Sequence, residues 1–312
     1  MTQSQLIRRA CPVCGSADDS NVFAESNYDP SKLDAFAFAS RKLPEYMHHR
    51  LIECPTCDLL YASPAPAPTS LAEAYEQAEY DSAAESSYAS RTYARLLPNI
   101  CRQLPDRAAA LDIGTGDGAF LCELLRFGFK HVAGIEPSTA PIAAASPQIR
   151  PLIRQGIFRA EDFAPESFSL ITCFQTIEHL PDPLAMCRAA SRLLKPGGAL
   201  FLIAHNRRAL SAQLMGTKSP IYDIEHLQLF SKRSAREMLE RAGFAEIRAA
   251  SFVNRYPLHY WTRLFPLPVK LKKLIIAVQK ATRIGYVPIP LPAGNIAIVG
   301  YRPAVASAAP SS

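Results

Sequence analysis

A glycine-rich turn between an apolar strand and a helix constrains this 312-residue chain more than any other feature. Residues 108–113 form a short apolar run that predicts a buried strand, and a helical pattern follows over residues 119–127. The turn combines one acid with three alternate glycines: Asp112, Gly114, Gly116 and Gly118. Glycine at such a turn lets the backbone approach a ligand closely, in the crevice beyond the carboxyl end of the strand.

Strand and helix signals alternate from that turn to the end of the chain. Further strands are predicted over residues 131–135, 151–155, 168–174, 199–204, 246–252 and 295–301. Helices are predicted over residues 138–145, 184–194 and 232–242. Apolar strands that alternate with helices indicate a sheet covered on both faces. We therefore predict a Rossmann-like α/β fold with a seven-stranded, mostly parallel sheet.

The spacing of the glycines and the nearby acid bear on the ligand. A dinucleotide fingerprint reads G-x-G-x-x-G and presents a helix N-terminus to a pyrophosphate, whereas this loop reads G-x-G-x-G. S-adenosylmethionine has no phosphate but carries an ammonium and a sulfonium, and Asp112 suits such a cation. The arrangement resembles motif I of the class I methyltransferases that use this cofactor.

The resemblance covers residues 106–304 and implies S-adenosylmethionine as cofactor and methyl transfer as activity. It assigns Glu136, at the end of the second predicted strand, to the two ribose hydroxyls. It assigns Asp162 to the adenine amine and Phe163 to an apolar wall. Gln175, after the fourth predicted strand, falls in the segment that the resemblance places beneath the methyl donor.

Four of the eight cysteines form two near-identical knuckles, C-P-V-C-G and C-P-T-C-D. These pairs, Cys11 with Cys14 and Cys54 with Cys57, offer the four-sulfur tetrahedron that structural zinc prefers. We predict a zinc ribbon over residues 10–62, with the long insert between the knuckles forming its own hairpin or loop. A redox dithiol is the alternative. His48 and His49 are expected on an exposed strand.

The remaining segments complete the predicted domain organisation. The Pro-rich residues 63–68 predict a semi-rigid hinge, the first part of a linker and helical cap over residues 63–105. Residues 254–294 form a basic, aromatic insert in the methyltransferase domain, and residues 305–312 are expected to be a disordered tail. Neither a secretory signal nor an 18-residue apolar run is evident, so we expect a cytoplasmic protein.

The positive charge lies at one end of the chain. From residue 247 onward there is no Asp or Glu, but there are nine Lys and Arg residues, against a net charge of +6 for the whole chain. A helix predicted over residues 269–284 carries an apolar stripe beside lysines. This pattern suggests peripheral contact with the inner face of a membrane. A lid or a dimer interface, whose apolar stripe packs on protein, is the more common use of such a helix.

A second resemblance concerns the methyl acceptor. With a zinc ribbon before a methyltransferase domain and a C-terminal extension after it, the chain resembles bacterial enzymes of sugar and cell-surface glycan pathways. In such enzymes a His that follows a Glu acts as a base beside the acceptor. That resemblance makes His226 the candidate base for O- or C-methylation of a sugar, nucleotide sugar or glycan precursor. Glu225 is either its orienting partner or a hydrogen-bond acceptor for the substrate. His is suited to this role because its side chain titrates near neutrality. The second candidate is His179, just after the fourth predicted strand, and the third is His205, at the end of the fifth.

Two other functions remain open at the level of sequence. The zinc ribbon and basic segment are compatible with an RNA methyltransferase that binds RNA through the ribbon. The Asn/Asp-Pro-Pro-aromatic segment of enzymes that methylate base amines is absent after the fourth predicted strand. A binding or scaffold protein that keeps the fold without turnover is the non-enzymatic alternative. Absence of heat in calorimetry with S-adenosylmethionine would favour it, whereas binding without turnover would leave it open.

Overall fold

The computed structural model describes residues 6–33, 36–38, 45–265, 267–292 and 294–304. The tail predicted to be disordered, residues 305–312, lies outside the described residues.

The strands of the described residues are β1 (Leu6–Ile7), β2 (Val22–Ala24), β3 (Leu51–Glu53), β4 (Leu60–Ala62), β5 (Ala65–Pro66), β6 (Ala109–Ile113), β7 (His131–Glu136), β8 (Ile153–Gln155), β9 (Phe168–Phe174), β10 (Leu194–His205), β11 (Gln228–Leu229), β12 (Ala245–Ser251), β13 (Asn254–Pro257), β14 (Pro288–Leu291) and β15 (Asn295–Tyr301).

The α-helices of the same residues are α1 (Pro68–Glu76), α2 (Ala83–Ala94), α3 (Leu97–Ile100), α4 (Ala119–Arg126), α5 (Thr139–Ala144), α6 (Pro183–Leu193), α7 (Leu210–Met215), α8 (Lys232–Arg241), α9 (Leu258–Leu264) and α10 (Val269–Ala281). None of these helices is long and apolar enough to cross a bilayer.

The central sheet has seven strands in the order β12-β15-β10-β9-β6-β7-β8. Strands β6 to β10 are parallel to one another. Strand β15 lies between β10 and β12 and is antiparallel to both. The predicted Rossmann-like, mostly parallel sheet is therefore confirmed. The chain order reverses between β6 and β9, which is the switch point where open α/β sheets bind their ligands.

The inner strands of the sheet contribute side chains to two separate cores, because successive residues of a strand point to opposite faces. In β6, Leu111 and Ile113 pack with helices α6 and α8 and with the cysteine knuckles, whereas Ala110 packs with α2 and α4. The knuckles thus share a hydrophobic core with one face of the α/β domain.

The ribbon forms a four-stranded sheet in the order β11-β4-β3-β2. The long insert makes a hairpin-like pair of β2 and β3, as the sequence predicted. The fourth strand, β11, comes from the methyltransferase domain and pairs antiparallel with β4. The predicted boundary of the ribbon at residue 62 therefore separates strands that belong to one sheet.

The Pro-rich segment is anchored to the ribbon side of the chain. Residues Ala65 and Pro66 pair with Ile7 and Leu6, and α1 begins at Pro68, whose missing N–H is tolerated at the start of a helix. Beyond α1, helix α2 packs against α4 and β13. The segment predicted to be a hinge is thus continuous with packed structure on both sides.

Two histidines of the ribbon differ from the sequence expectation. His48 and His49 precede β3, lie outside any strand and are 4% and 7% exposed. The ring of His49 packs against that of Tyr28 with 5.9 Å between centroids, and burial lowers the pKa of His49 to about 4. The expectation of exposed strand residues was wrong because the insert between the knuckles folds back over them.

The insert of residues 254–294 consists of a β-hairpin, β13 with β14, that encloses α9 and α10. Helix α9 is buried through Tyr260 and Trp261, whereas Leu274 on α10 is 62% exposed. Helix α10 ends at Ala281, three residues before the predicted end, and Arg283 adopts a left-handed conformation just beyond it.

Candidate active site

A cavity of about 690 Å³ opens at the carboxyl ends of β6, β7, β9 and β10. The glycine loop and Glu136 line one part of it, and His179, Glu225 and His226 line another. The switch point of the sheet therefore brings five of the eight predicted donor residues (Asp112, Gly114, Gly116, Glu136 and Gln175) and the predicted acceptor residues to a single cavity.

All three glycines of the loop have positive φ angles, of 73°, 59° and 72° in chain order. A Cβ on Gly114 would lie 2.2 Å from the Thr176 hydroxyl oxygen, and one on Gly118 would lie 2.4 Å from Ile149 Cγ2. A Cβ on Gly116 would meet nothing within 4 Å. Gly114 and Gly116 line the cavity, whereas Gly118 caps α4 and is required by packing, outside the cavity wall.

Asp112 lies at the end of β6 and is 3% exposed. Its Oδ1 accepts a hydrogen bond of 2.6 Å from the Thr172 hydroxyl, and its Oδ2 accepts one of 2.8 Å from the Thr115 hydroxyl. Burial raises the pKa of Asp112 to about 6, against the opposing effect of these hydrogen bonds. The carboxylate is thus held rigidly in the cavity wall, where a nearby positive charge would offset its desolvation.

Glu136 ends β7 and is also buried, at 7% exposure. Its two carboxylate oxygens accept from the backbone amides of Ser138 and Gly116, at 2.9 and 2.8 Å. Burial raises the pKa of Glu136, although these hydrogen bonds oppose the rise. A carboxylate fixed in this way, beside the glycine loop, keeps lone pairs that can accept further hydrogen bonds.

The two residues predicted to contact the adenine ring, Asp162 and Phe163, lie outside the cavity wall. Asp162 ends a short 3-10 turn and forms an ion pair of 3.1 Å with Arg154, and Phe163 packs on Phe168. Neither lines the cavity, whereas Glu161 and Phe158 do. The acid of this turn that lines the cavity is therefore Glu161, one residue before the Asp162 that the sequence predicted.

Gln175 follows β9 and lines the cavity. Its φ of 52° is unusual for a residue with a side chain, and its backbone amide donates to the Ile203 carbonyl at 2.7 Å. Its Nε2 is buried without a hydrogen-bond partner among the described residues. A strained backbone and an unsatisfied amide are typical of functional sites.

Three acceptor-side residues form a compact cluster. Nε2 of His226 lies 4.0 Å from Oε1 of Glu225, and Nδ1 of His179 lies 3.9 Å from Oε2 of the same carboxylate. The two imidazole rings are 5.0 Å apart between centroids. Nδ1 of His226 bonds to the Ile221 carbonyl at 2.9 Å, which fixes the proton on Nδ1 because a carbonyl only accepts.

His179 is held by a phenol that the sequence did not identify. The Tyr75 hydroxyl lies 2.8 Å from Nδ1 of His179 and 3.4 Å from the Glu225 carbonyl oxygen. Burial lowers the pKa of His179, and it raises the pKa of Tyr75 well above the usual range. At neutral pH both groups are therefore uncharged. Tyr75 was not predictable because its helix is distant in sequence.

His205, the third candidate, ends β10 on the other side of His226, with ring centroids 5.0 Å apart. Its Nδ1 lies 3.1 Å from Oε1 of Glu178, which also accepts from the His205 backbone amide at 2.6 Å. Glu178 is fully buried. His205 is thus bonded to a buried carboxylate, which orients the ring.

The four predicted zinc ligands converge as the sequence indicated. The sulfurs of Cys11 and Cys57 are 3.5 Å apart, those of Cys14 and Cys54 are 3.4 Å apart, and all four lie within 4.8 Å of one another. A tetrahedral zinc site with ligands at about 2.3 Å has sulfurs about 3.8 Å apart. The cluster therefore fits a zinc ribbon. Gly15 and Asp58, at matching places after the two knuckles, both adopt positive φ angles.

Ion pairs connect the second knuckle to the segment after β10. The Arg207 side chain, 3% exposed, contacts Oε1 of Glu53 at 2.9 Å and Oδ1 of Asp58 at 3.0 Å. Arg208 contacts the same two carboxylates. Because His205 lies two residues before Arg207, the ribbon is attached directly to a wall of the cavity.

The fold and the cavity together define the class of protein. A mostly parallel seven-stranded sheet carries a G-x-G-x-G loop and a buried acid at its switch point, which is the arrangement of class I S-adenosylmethionine-dependent methyltransferases. A family described as "Methyltransferase domain" matches residues 80–249, which is more than half of the chain. The chain belongs to this methyltransferase family.

Curated relatives match part of the chain. A "Ubiquinone biosynthesis O-methyltransferase" of Pseudomonas syringae pv. tomato is 38% identical over 105 residues, 31% of this chain and 44% of the relative. A protein of the same name from Aeromonas salmonicida is 29% identical over 164 residues, 47% of this chain and 67% of the relative. The chain thus spans less than half the length of the first relatives that it matches.

A solved structure with similarity to the chain is that of an S-adenosylmethionine-dependent methyltransferase from Thermotoga maritima, described as a possible histamine N-methyltransferase. It is 21% identical, with a TM-score of 0.46, and the match covers 70% of this chain and 91% of that one.

Proposed function

We propose that this protein transfers the methyl group of S-adenosylmethionine to a small acceptor of the sugar or glycan-precursor type. One observation carries the proposal: the cluster of His179, Glu225 and His226 lines the same cavity as the glycine loop and Glu136. S-adenosylmethionine supplies an electrophilic methyl group, so the chain itself must align the acceptor, exclude water and remove a proton.

The donor half of the site consists of Asp112, Gly114, Gly116, Glu136 and Gln175. The carboxylate of Asp112 attracts the positive charge of the donor, and Glu136 accepts hydrogen bonds from the ribose hydroxyls. The glycines allow the ligand to approach the backbone. Phe158 and Glu161 take the adenine-side places that sequence reasoning gave to Phe163 and Asp162.

In the acceptor half, His226 acts as the general base. Its Nδ1 proton is held by the Ile221 carbonyl, so Nε2 is the nitrogen that takes the proton from the acceptor hydroxyl or carbon acid. Glu225, 4.0 Å from Nε2, stabilises the imidazolium that forms. His179, neutral and bonded to Tyr75, contributes a polar contact beside it.

A phenolic hydroxyl is a second candidate acceptor, favoured by a specific observation. Aromatic side chains line the cavity: Tyr75, Tyr80, Tyr93, Tyr256, Tyr260 and Trp261. Such a wall suits a flat ring as well as a pyranose, because both present apolar faces. The relatives named as ubiquinone biosynthesis O-methyltransferases are consistent with O-methylation of this kind.

A screen for release of S-adenosylhomocysteine tests these alternatives. Nucleotide sugars, glycan fragments, substituted catechols and RNA are each incubated with the protein and S-adenosylmethionine. Turnover with sugars supports the proposal, and turnover with catechols alone replaces it by the phenolic one. Turnover with RNA alone favours the nucleic-acid alternative. Donor binding without turnover on any class would leave the scaffold alternative standing, and absence of donor binding would favour it.

The four cysteines hold a structural zinc ion. All four ligand positions are taken by sulfur, so the ion has no coordination place for a substrate. The ribbon then acts through packing and through the ion pairs of Arg207 with Glu53 and Asp58.

The insert also brings the protein to an anionic membrane surface. Helix α9 lines the cavity, whereas α10 turns an apolar stripe outward: Leu271, Leu274 and Val278 are 46%, 62% and 54% exposed. Lys270, Lys273 and Lys280 on the same helix are also exposed. The charge of this surface favours an anionic bilayer as its partner, because the chain has no acid after Glu246.

A further inference from the structure

A single guanidinium, that of Arg9, contacts three separate segments of the chain. Nε donates to the Ala62 carbonyl at 2.8 Å, Nη2 to the Leu227 carbonyl at 2.6 Å, and Nη1 to the Pro181 carbonyl at 3.1 Å. Ala62 belongs to ribbon strand β4. The planar fork of Arg fixes the relative positions of its acceptors more strictly than a flexible ammonium does.

Two of these segments carry the acceptor-side histidines. Leu227 directly follows the Glu225–His226 pair, and Pro181 lies two residues after His179. Leu227 also accepts from the Ala62 amide at 2.8 Å and donates its own amide to the Glu178 carbonyl at 2.9 Å. The ribbon, His179 and His226 are therefore connected through short paths of hydrogen bonds.

Gln228, which is fully buried, completes the connection. Its Oε1 accepts from Nη2 of Arg9 at 3.1 Å, and its Nε2 donates to the Ile177 carbonyl at 2.9 Å and the Leu180 carbonyl at 2.8 Å. One side-chain amide thus spans the turn that contains His179, and its own backbone extends the ribbon sheet as β11.

We propose that Arg9 is a positioning residue for the methyl-transfer site. Through Leu227, Pro181 and Gln228 it sets the separation of His226 and His179 without touching the substrate. The inference rests on the proposed function, and it gives the N-terminal ribbon a part in the acceptor site. A displacement of about 1 Å in a reacting geometry lowers turnover on the order of 10²-fold.

The test compares Arg9→Met with Arg8→Met, a matched control because Arg8 is the exposed neighbour. Imidazole NMR signals of the ¹⁵N-histidine-labelled protein are recorded with S-adenosylhomocysteine bound and assigned with His179→Gln and His226→Gln variants. In Arg9→Met we expect the signals of both histidines to shift, while that of exposed His131 does not. S-adenosylhomocysteine affinity, measured by calorimetry, should stay within twofold.

Arg9→Lys should restore part of the shift, because an ammonium can keep some of the three carbonyl contacts. Gln228→Met keeps the shape of the side chain and should move the His179 signal even if Arg9→Met does not fold. Unchanged histidine signals in Arg9→Met and Gln228→Met would overturn the inference. A loss of S-adenosylhomocysteine affinity well beyond twofold in Arg9→Met would also overturn it, since Arg9 would then support the whole fold. Failure of the wild-type protein to bind S-adenosylhomocysteine would instead contradict the proposed function.

Discussion

The Tyr75 hydroxyl and the Nδ1 atom of His179 are 2.8 Å apart, although 104 residues separate the two positions in the chain. Tyr75 lies on α1, between the ribbon and the central sheet, and His179 lies in the turn after β9. The phenol ring also packs edge-on to the imidazole, with centroids 5.7 Å apart. The helical segment before the sheet is therefore part of the acceptor half of the cavity.

The Tyr75→Phe variant tests this contact. It keeps the ring packing and removes the hydroxyl, so His179 loses a net interaction of about 0.5–1.5 kcal/mol. If the contact orients His179 during turnover, we expect methyl transfer to slow about two- to tenfold, with unchanged donor affinity. Steady-state kinetics and calorimetry measure the two effects. Tyr88→Phe on α2 is the control, and equal rates in the two variants would contradict the role of Tyr75.

The His226→Ala variant examines the proposed base. Turnover should fall about 10²–10⁴-fold, the usual contribution of general acid–base catalysis. Affinity for S-adenosylhomocysteine should be retained, because His226 lies on the acceptor side. Rates are compared as release of S-adenosylhomocysteine with the acceptor identified by the screen. His179→Ala is measured in parallel, and a larger loss there would transfer the role of base to His179.

The raised pKa of Asp112 predicts a pH dependence of donor binding. Above its pKa of about 6 the carboxylate is charged and attracts the cationic donor, whereas protonation below that pH removes the attraction. Affinity should therefore fall as the pH drops from 7.5 to 5, by at most about tenfold per pH unit. Calorimetry at several pH values measures this dependence.

The Asp112→Asn variant is the control for that experiment. It should bind S-adenosylmethionine more weakly at pH 7.5, by about 1.5–3 kcal/mol, and should show less pH dependence. Glu136→Ala should weaken binding by a similar amount, since hydrogen bonds to the ribose are lost. Wild-type affinity in both variants would show that the donor lies elsewhere.

Purified protein should contain about one zinc ion per chain, because the cluster offers four sulfurs at one point. Removal of the ion with a chelator should lower the thermal stability, since the knuckles share a core with one face of the central sheet. Elemental analysis and thermal unfolding are the measurements. Cys14→Ser should mimic the chelator, and Cys122→Ser, outside the cluster, should not. A metal-free preparation with unchanged stability would contradict the prediction.

Vesicle binding examines the surface of α10. Each exposed lysine near an anionic bilayer contributes about 1 kcal/mol, so binding should be weak and should decrease with salt. Sedimentation is compared for anionic and neutral vesicles, with Leu274→Glu as the disruptive variant and Leu125→Glu, exposed on α4, as its control. Equal binding to both vesicle types, or none, would contradict membrane contact. Concentration-dependent self-association that Leu274→Glu abolishes would identify a dimer interface instead.

Local patterns predicted most of the central sheet. The strands over Phe168–Phe174 and Asn295–Tyr301 have the predicted bounds, because short, mainly apolar runs between turn residues are a strong local signal. The two cysteine knuckles and the loop glycines were equally visible, since metal ligation and close approach to a backbone each demand particular residues at fixed spacing. These features depend on neighbours in sequence.

Other parts of the site depended on contacts between distant segments. Tyr75 and Arg9 carry no motif, and their importance follows from hydrogen bonds across 104 and 218 residues. The cavity is lined by Phe158 and Glu161, whereas the sequence predicted Phe163 and Asp162. The direction of a side chain in such a segment is set by packing and not by composition.

The sequence by itself determined the α/β class, the glycine loop at the switch point and the cluster of four cysteines, because each of these depends on local spacing. Only the tertiary structure decided that β11 completes the ribbon sheet and that the ribbon therefore adjoins Glu225 and His226. A strand of two residues has too little pattern to be recognised in a sequence. Its pairing with Leu60 and Tyr61 is specified by the backbone hydrogen bonds and burial that form once both segments are brought together.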